Sequence, residues 1–183
     1  MKLDAGMDTG DIIRMAPLKI LPHMTAGELF ESLSVLGAKE LLYVLKNLPE
    51  SMAGAKPQDH AKATYAEKVT KEMGHIDWEQ EASVIDALIR GMYPSPGTYT
   101  YFHGKRIKIH AAFYENSNTA AIPKGTVVSL KDGNIGVAAT HGIIYLTMVQ
   151  PENHKRMKTI DFINGYQVCL LYTSPSPRDR TRS

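Results

Sequence analysis

Between Tyr99 and Val149 the chain is written in short alternating runs, each cut off by a pair of turn formers, and that pattern restricts its second half to an antiparallel sheet. Tyr99 to Phe102, the pair His103-Gly104 and Arg106 to Ala112 predict a hairpin. Thr126 to Leu130, Asp132-Gly133-Asn134, Ile135 to Ala139, His141-Gly142 and Ile143 to Val149 predict a three-strand meander. Ahead of them, Glu79 to Met92 places Ala82, Ile85, Leu88 and Ile89 on one helical face and is stopped by Pro94, Pro96 and Gly97. A last short helix is expected from Thr159 to Asn164. About five strands and a helix in roughly ninety residues favour a small β-barrel of the OB type over a sandwich.

The first half follows a different code. Thr25 and Glu28 have the spacing of a capping box, and Leu29, Leu33, Leu36, Leu41, Leu42 and Leu45 then recur at helical spacing, with a break or bend expected near Gly37. A helix of this kind must cover a sheet. Only two strand-like pieces precede it, one at the start and one through Ile12, Ile13, Met15 and Leu18, too few for a stable layer. Residues 1–50 therefore read as an α/β remnant, the end of a domain whose beginning is absent. Residues 51–75, polar and broken by Gly54 and Pro57, read as a linker, and 76–168 as the barrel domain.

Charge removes one easy inference. The formal net charge is +2, but 169–183 alone carries Arg178, Arg180 and Arg182 against Asp179, which leaves 18 basic and 18 acidic residues in the body. Nucleic-acid binding must then rest on a local patch. The single cysteine, Cys169, lies in the same tail, so the body offers no disulfide, thiol nucleophile or cysteine metal site. Charges interrupt the apolar residues too often for a membrane span, Met1 is followed by no secretory h-region, and a soluble cytoplasmic protein is expected.

Two sets of residues could carry chemistry. A loop near the start holds Asp4, Asp8 and Asp11 with Gly6 and Gly10; spacing alone describes a solvated turn, since Asp and Gly are ordinary turn residues. Three carboxylates would also suit a cation, but no histidine lies near them in sequence, and no metal is expected. The second set is basic: Lys68, Lys71, Arg90, Lys105, Arg106, Lys108, Lys155, Arg156 and Lys158. In an alternating strand Arg106 and Lys108 share a face and Lys105 takes the other, so a phosphate-binding stripe and a set of solvated cations both fit. Trp78 suits a base-stacking platform or, better, burial beside the following helix. His75, His103, His110, His141 and His154 show no ligand spacing.

The string from Asp4 to Asp11, DAGMDTGD, resembles the folate-site loop of formyltransferases that use 10-formyltetrahydrofolate. Further segments follow in family order: Glu28-Leu29 and Gly37-Ala38 in the helix, Ala63 to Lys68, Ile76-Asp77-Trp78, Ile89-Arg90-Gly91 with Pro94 and Pro96, Gly125-Thr126-Val127, and Gln150 with Lys155 to Met157 and Asp161-Phe162. From Met1 to about Tyr166 the chain thus resembles the methionyl-tRNA formyltransferase family, from inside its catalytic domain to near its carboxy terminus.

The resemblance implies a Rossmann-like catalytic domain, a linker and an OB-type carboxy-terminal domain. It also implies formyl transfer from 10-formyltetrahydrofolate to the amino group of initiator methionyl-tRNA by a monomer. Asp8 takes the place of the catalytic aspartate, which would orient a neutral histidine, while Asp4, Gly6 and Asp8 would line the pteridine pocket. Initiator tRNA would be held by Lys68, Lys71, Arg90, Arg106, Lys108, Lys155 and Arg156. Three departures stand out. The family's catalytic Asn and His, placed upstream of the Asp loop, are not in this chain; Ser95 stands where a Trp is usual; and Pro151-Glu152-Asn153-His154 replaces a glycine-containing turn. The fragment alone is expected to be inactive. Other readings are a formyltransferase acting on an amino sugar nucleotide and a non-catalytic OB-type RNA-binding module. Finally, Cys169 to Asp179 resembles a translated sequencing adaptor, so 169–183 is expected to be a non-native disordered tail.

Overall fold

A computed structural model of the chain describes residues 1–166 and Val168, so the expectation for the tail at 169–183 lies outside the described residues. There are two compact units, one from Met1 to Lys68 and a second that begins at Val69.

In the first unit, Thr25 and Glu28 form the expected capping box: Glu28 N donates to Thr25 Oγ1 at 3.3 Å, and Thr25 N donates to Glu28 Oε2 at 2.8 Å. The Thr25 backbone bond, followed by its hydroxyl, holds the Glu28 carboxyl below the usual carboxylate range. Helix α1 (Ala26–Lys46) runs through Gly37 without the break that was one of the two outcomes expected there. One glycine costs a helix about 1 kcal/mol against alanine, and the surrounding Leu, Glu, Ala and Lys residues are good helix formers. A short helix α2 (Leu48–Ala53) follows, with Pro49 in its first turn, where no amide donor is needed. Neither helix buries a residue: Phe30 is 72% and Val35 74% exposed. The two expected strands do not form. Among the described residues of this unit, the extended pieces meet in one bridge, where Ile12 N donates to Lys56 O at 2.8 Å and Lys56 N to Ile12 O at 2.9 Å. A strand needs a neighbour along its length to satisfy its amides, and this unit supplies one for a single residue pair.

The second unit is an antiparallel sheet with helices. Its strands are β1 (Thr98–Phe102), β2 (Lys105–Asn116), β3 (Val127–Lys131), β4 (Asn134–Ala139), β5 (Gly142–Pro151) and β6 (Met157–Lys158), ordered β1-β2-β5-β4-β3 with β6 paired to β5. The predicted turns supply the hairpins: His103 and Gly104 have φ of 48° and 75°, and Asp132 and Gly133 have 51° and 76°, left-handed at both central positions as a type I′ turn requires. Strands β1 and β3 end the path and do not pair with each other among the described residues, so the sheet is open where a closed OB-type barrel was expected. Trp78 touches both ends. Its Nε1 donates to Thr100 Oγ1 on β1 at 3.0 Å, and its ring lies against Gly125 just before β3, where a Cβ would come within 3.0 Å of the indole. An indole therefore occupies ground that a backbone ladder between these ends would need.

Helix α3 (Ala82–Met92) covers the inner face, burying Ala82, Ile85 and Ile89 against Ile107, Ile109, Ile144, Val149 and Phe162. It begins three residues later than the Glu79 expected. Glu79 N and Gln80 N are taken up in a turn on Asp77, and Ala82 N donates to Thr140 O at 3.0 Å, which ties the start of α3 to the β4–β5 turn. A Cβ at Gly142 would come within 2.7 Å of the Ala82 Cβ, so this approach needs the glycine. Helix α4 (Thr159–Gly165) packs Phe162 onto the same core.

On the other face of β2, His110 is partly buried. Its Nε2 lies 2.9 Å from Gln150 Oε1, Gln150 Nε2 donates to His154 O at 2.9 Å, and the His110 Nδ1 is buried without a partner. Burial lowers the basicity of this imidazole; the Gln150 bond opposes that, and the cations of Arg156 and Lys108 add to it.

Two stability measurements check this packing. Ile109→Ala is expected to cost about 2–5 kcal/mol in urea unfolding, whereas Val84→Ala on the exposed side of α3 should stay within about 0.5 kcal/mol. The folded chain resists protonating His110 where the unfolded chain takes a proton near its ordinary value of 6.5. The contribution is therefore present above that value and lost as pH falls through it, and His110→Asn should flatten the decline.

Candidate functional site

The Asp loop is pinned at its neck and open at its tip. Lys2 N donates to Asp11 O at 2.8 Å, and the Lys2 ammonium pairs with the Asp11 carboxylate at 3.1 Å. Gln58 Nε2 donates to both Asp8 O, at 2.8 Å, and Gly10 O, at 2.7 Å. Gly10 is required by close approach, since a Cβ there would sit 2.0 Å from Lys2 O, whereas at Gly6 the near atom is the Thr9 hydroxyl, 2.5 Å from a Cβ. Asp8 has a φ of 55°, a left-handed conformation that Asp tolerates better than most residues. Among the described residues no hydrogen bond or ion pair reaches its exposed carboxylate, while Asp4 accepts from the amide of Ala5. The three aspartates thus divide: Asp11 ties the neck, Asp4 caps its own turn, and Asp8 presents an acceptor to solvent. Gln58 had no sequence signal, because it acts across 48 residues through side-chain bonds to backbone carbonyls. No group of three or more His, Cys, Asp or Glu able to hold a metal occurs among the described residues.

The basic candidates separate by environment. In the second unit, Arg106 and Lys108 alternate with the buried Ile107 and Ile109 and so share the outer face of β2, with exposed Lys105 on the other parity. Lys108 is paired in register with Tyr99 on β1 and Gln150 on β5, and Arg106 with Tyr101. The guanidinium of Arg106 lies 3.7 Å over the Tyr99 ring. Arg156 donates from Nη1 to Tyr93 Oη at 3.1 Å, and its charge, like that of Lys108, is felt at His110. Arg106, Lys108 and Arg156 therefore gather around Gln150 and His110, with exposed Lys155 next in the chain. Arg90 is engaged elsewhere, its Nε paired with the buried Asp86 carboxylate at 2.9 Å along α3, which balances its charge. Lys71 is exposed at the start of the second unit, and Lys68, also exposed, belongs to the first.

Two concavities border this face. One of about 500 Å³ is lined by Phe102, His103, Lys105, Arg106, Phe162 and Tyr166 among others. The other, of about 260 Å³, is formed by Arg106, Lys108, Gln150, Pro151, Glu152 and Asn153. Arg106 lines both. The turn that closes the second groove lacks glycine, and Asn153 takes the left-handed φ of 62° in its place. Cations along a groove with side-chain amide donors suit phosphate and base edges. Trp78 takes its place in the packing between β1 and Gly125, not on this surface. Ser95 is exposed in the turn between α3 and β1.

Residues 68–167 match the family described as formyl transferase, C-terminal domain. The chain is 39% identical over 170 residues to the methionyl-tRNA formyltransferase of Dictyoglomus turgidum, covering 92% of this chain and 54% of that protein. With the methionyl-tRNA formyltransferase of Chlamydia muridarum it shares 41% over 179 residues, 94% of this chain and 56% of that one. It thus spans about half the length of the curated relatives it matches. Among solved structures, HypX from Aquifex aeolicus in complex with tetrahydrofolic acid has a TM-score of 0.60 at 18% identity, covering 87% of this chain and 28% of that one. An N-formyltransferase from Helicobacter canadensis, in complex with folinic acid and dTDP-3-aminofucose, has a TM-score of 0.53 at 18% identity, covering 81% and 53%. At such identities these two speak for the fold alone. An Asp-Gly loop, an antiparallel sheet packed on a helix and a family match across 68–167 agree: the chain belongs to the formyl transferase family and carries its carboxy-terminal domain.

Proposed function

We propose that the protein to which this chain belongs transfers a formyl group from 10-formyltetrahydrofolate to the amino group of initiator methionyl-tRNA, as a cytoplasmic monomer at the start of translation. The observation that carries this reading is the similarity to relatives named methionyl-tRNA formyltransferase, 36–41% identical over nine-tenths of the chain, a span too long to be confined to the second unit.

Formyl transfer requires an amine to attack the formyl carbon, a proton to leave that amine, and donors for the oxyanion that develops. Asp8 offers the acceptor half of that need. Its carboxylate is exposed at the tip of a loop whose neck is fixed by Lys2, Asp11 and Gln58, so it can take an N–H from an imidazole and hold that ring in one tautomer. Asp4, Gly6 and the loop backbone fit one wall of a pteridine site, since polar main-chain groups there remain open to a ring edge. The oxyanion donors fall to the Asn and His that the family resemblance places upstream of this loop, and on this reading the chain by itself transfers no formyl group.

The second unit serves as the tRNA-binding module. Its open, Trp78-bridged sheet is read as an OB-type fold, with 51–75 as the linker that joins it to the catalytic domain. Arg106, Lys108, Lys155 and Arg156 contact phosphates on the outer face of the sheet, Lys71 contacts the tRNA at the start of the same unit, and Lys68 contacts it from the first unit. Arg90 contributes less, because Asp86 already compensates its charge.

In a full-length protein carrying this chain, Asp8→Ala is expected to lower the turnover of methionyl-tRNA by about 100-fold or more, the range for loss of an acid–base partner. Unchanged turnover, or formylation of a dTDP-amino sugar in place of methionyl-tRNA, would overturn the assignment. Arg106→Ala and Lys108→Ala together should reduce the salt slope of tRNA binding by about two, one for each phosphate no longer held.

A further inference from the structure

The outer face of β1 and β2 carries more than cations. The segment around His75 runs beside β1, with Ile76 N donating to Tyr99 O at 2.9 Å, so His75, Tyr99, Lys108 and Gln150 form one row across four neighbouring chain segments. Tyr101 and Arg106 form the adjacent row. His75 and Tyr99 lie with ring centroids 5.2 Å apart, and Arg106 is seated on Tyr99. Tyr101 meets Tyr99 at 6.0 Å and His75 at 5.9 Å, in both cases with steeply inclined rings.

Tyr101 is the outlier of this group. It is 57% exposed, in contrast to Tyr145, which is 6% exposed and stacked on Phe113. Among the described residues no ring lies parallel on Tyr101, and no cation is seated over it. A tyrosine that contributes so little to the core, on a sheet face opposite Arg106 and one row from Lys108, has the properties of a ligand contact. The cations Arg106 and Lys108 call for an anion, and the aromatic calls for a planar ring; one polymer offers both at the spacing of neighbouring side chains.

We propose that Tyr101, backed by Tyr99 and His75, is a stacking platform for an unpaired RNA base, with Arg106 and Lys108 holding the phosphates that flank it. The base must be unpaired, because the faces of bases inside an A-form helix are covered by their neighbours and only splayed nucleotides can stack on a side chain. Arg106 is prepared for its part: Tyr99 holds the guanidinium in place, and its Nε is buried without a partner, a donor still to be satisfied. Glu152 lines both concavities together with Arg106, and Glu72 lies close enough to Arg106 to sense its charge; these two carboxylates bound the platform and limit where a phosphate can sit. The platform rests on the reading of this unit as an RNA-binding module and names the part of RNA it takes.

The test uses the 183-residue chain and a single-stranded RNA of about ten nucleotides with a central 2-aminopurine, titrated at several salt concentrations, beside the same strand in a duplex. Binding should quench the fluorophore in the single strand and not in the duplex. Tyr101→Ala and Tyr101→Leu should weaken single-strand binding by about 5- to 100-fold, the range for one stacked base, while leaving the salt slope unchanged. Tyr101→Phe, which keeps the ring, should bind within about twofold of the parent chain. Tyr101 is exposed, and an unaltered urea midpoint in Tyr101→Leu would exclude loss of fold as the cause. If Tyr101→Ala and Tyr101→Leu both bind as the parent does while Arg106→Ala with Lys108→Ala flattens the salt slope, the RNA surface stands and the platform is refuted. If neither change weakens binding, the RNA reading itself falls with it. Equal quenching in the duplex would also refute the platform.

Discussion

The register of β2 against β1 and β5 decides both what this unit is made of and what it shows to its surroundings. Ile107 and Ile109 point into the core while Arg106 and Lys108 point out, and the two isoleucines are locked to Thr100 and Thr98 on one side and to Pro151 and Val149 on the other. A slip of one residue would bury the cations and expose the isoleucines, at the cost of two unpaired charges in an apolar interior. The hydrophobic demand of the core therefore holds the charged face in place. Stability and surface chemistry here come from one constraint.

Around that strand pair the rest of the unit is arranged as closure. Helix α3 seals the inner face, Phe162 of α4 seals one end, and Trp78 fills the gap between β1 and the glycine before β3. The first unit is the opposite case. Its long helix is capped and continuous, yet no side chain on it is buried, and the extended segments before it make a single bridge. Local signals are sufficient to form α1 as a helix, but they do not provide the layer that its leucines would cover.

What could be read from the residues follows the same division between local and distant causes. The turn pairs His103-Gly104 and Asp132-Gly133 placed the hairpin turns, because a left-handed pair is a property of the turn itself, whereas β2 runs four residues past the expected Ala112 because β5 pairs with it to Asn116. The capping box at Thr25 and the helix at Thr159 were equally local. Gly37 misled because its conformational cost is small against a long helix. The strands expected near Ile12 failed for want of a partner, and the closed barrel failed at the point where Trp78 stands, both of which depend on residues far away in sequence. At the site, alternation was enough to put Arg106 and Lys108 on one face. The engagement of Arg90 by Asp86, the latch of Gln58 on the Asp loop, and the aromatic cluster of His75, Tyr99 and Tyr101 beside those cations came only with the fold.

Two functional elements meet in one chain: a loop that presents Asp8, and a sheet whose outer face presents cations and rings. The family match covers the second directly, and the similarity to methionyl-tRNA formyltransferases spans both. The central claim is that tRNA lies on the outer face of β2. Differential lysine modification, read by mass spectrometry on the chain with and without initiator methionyl-tRNA, addresses it most directly. The account predicts that Lys108 and Lys155 lose reactivity when tRNA is bound while Lys39 on α1 keeps its own. Equal reactivity of Lys108 in the two states would contradict it.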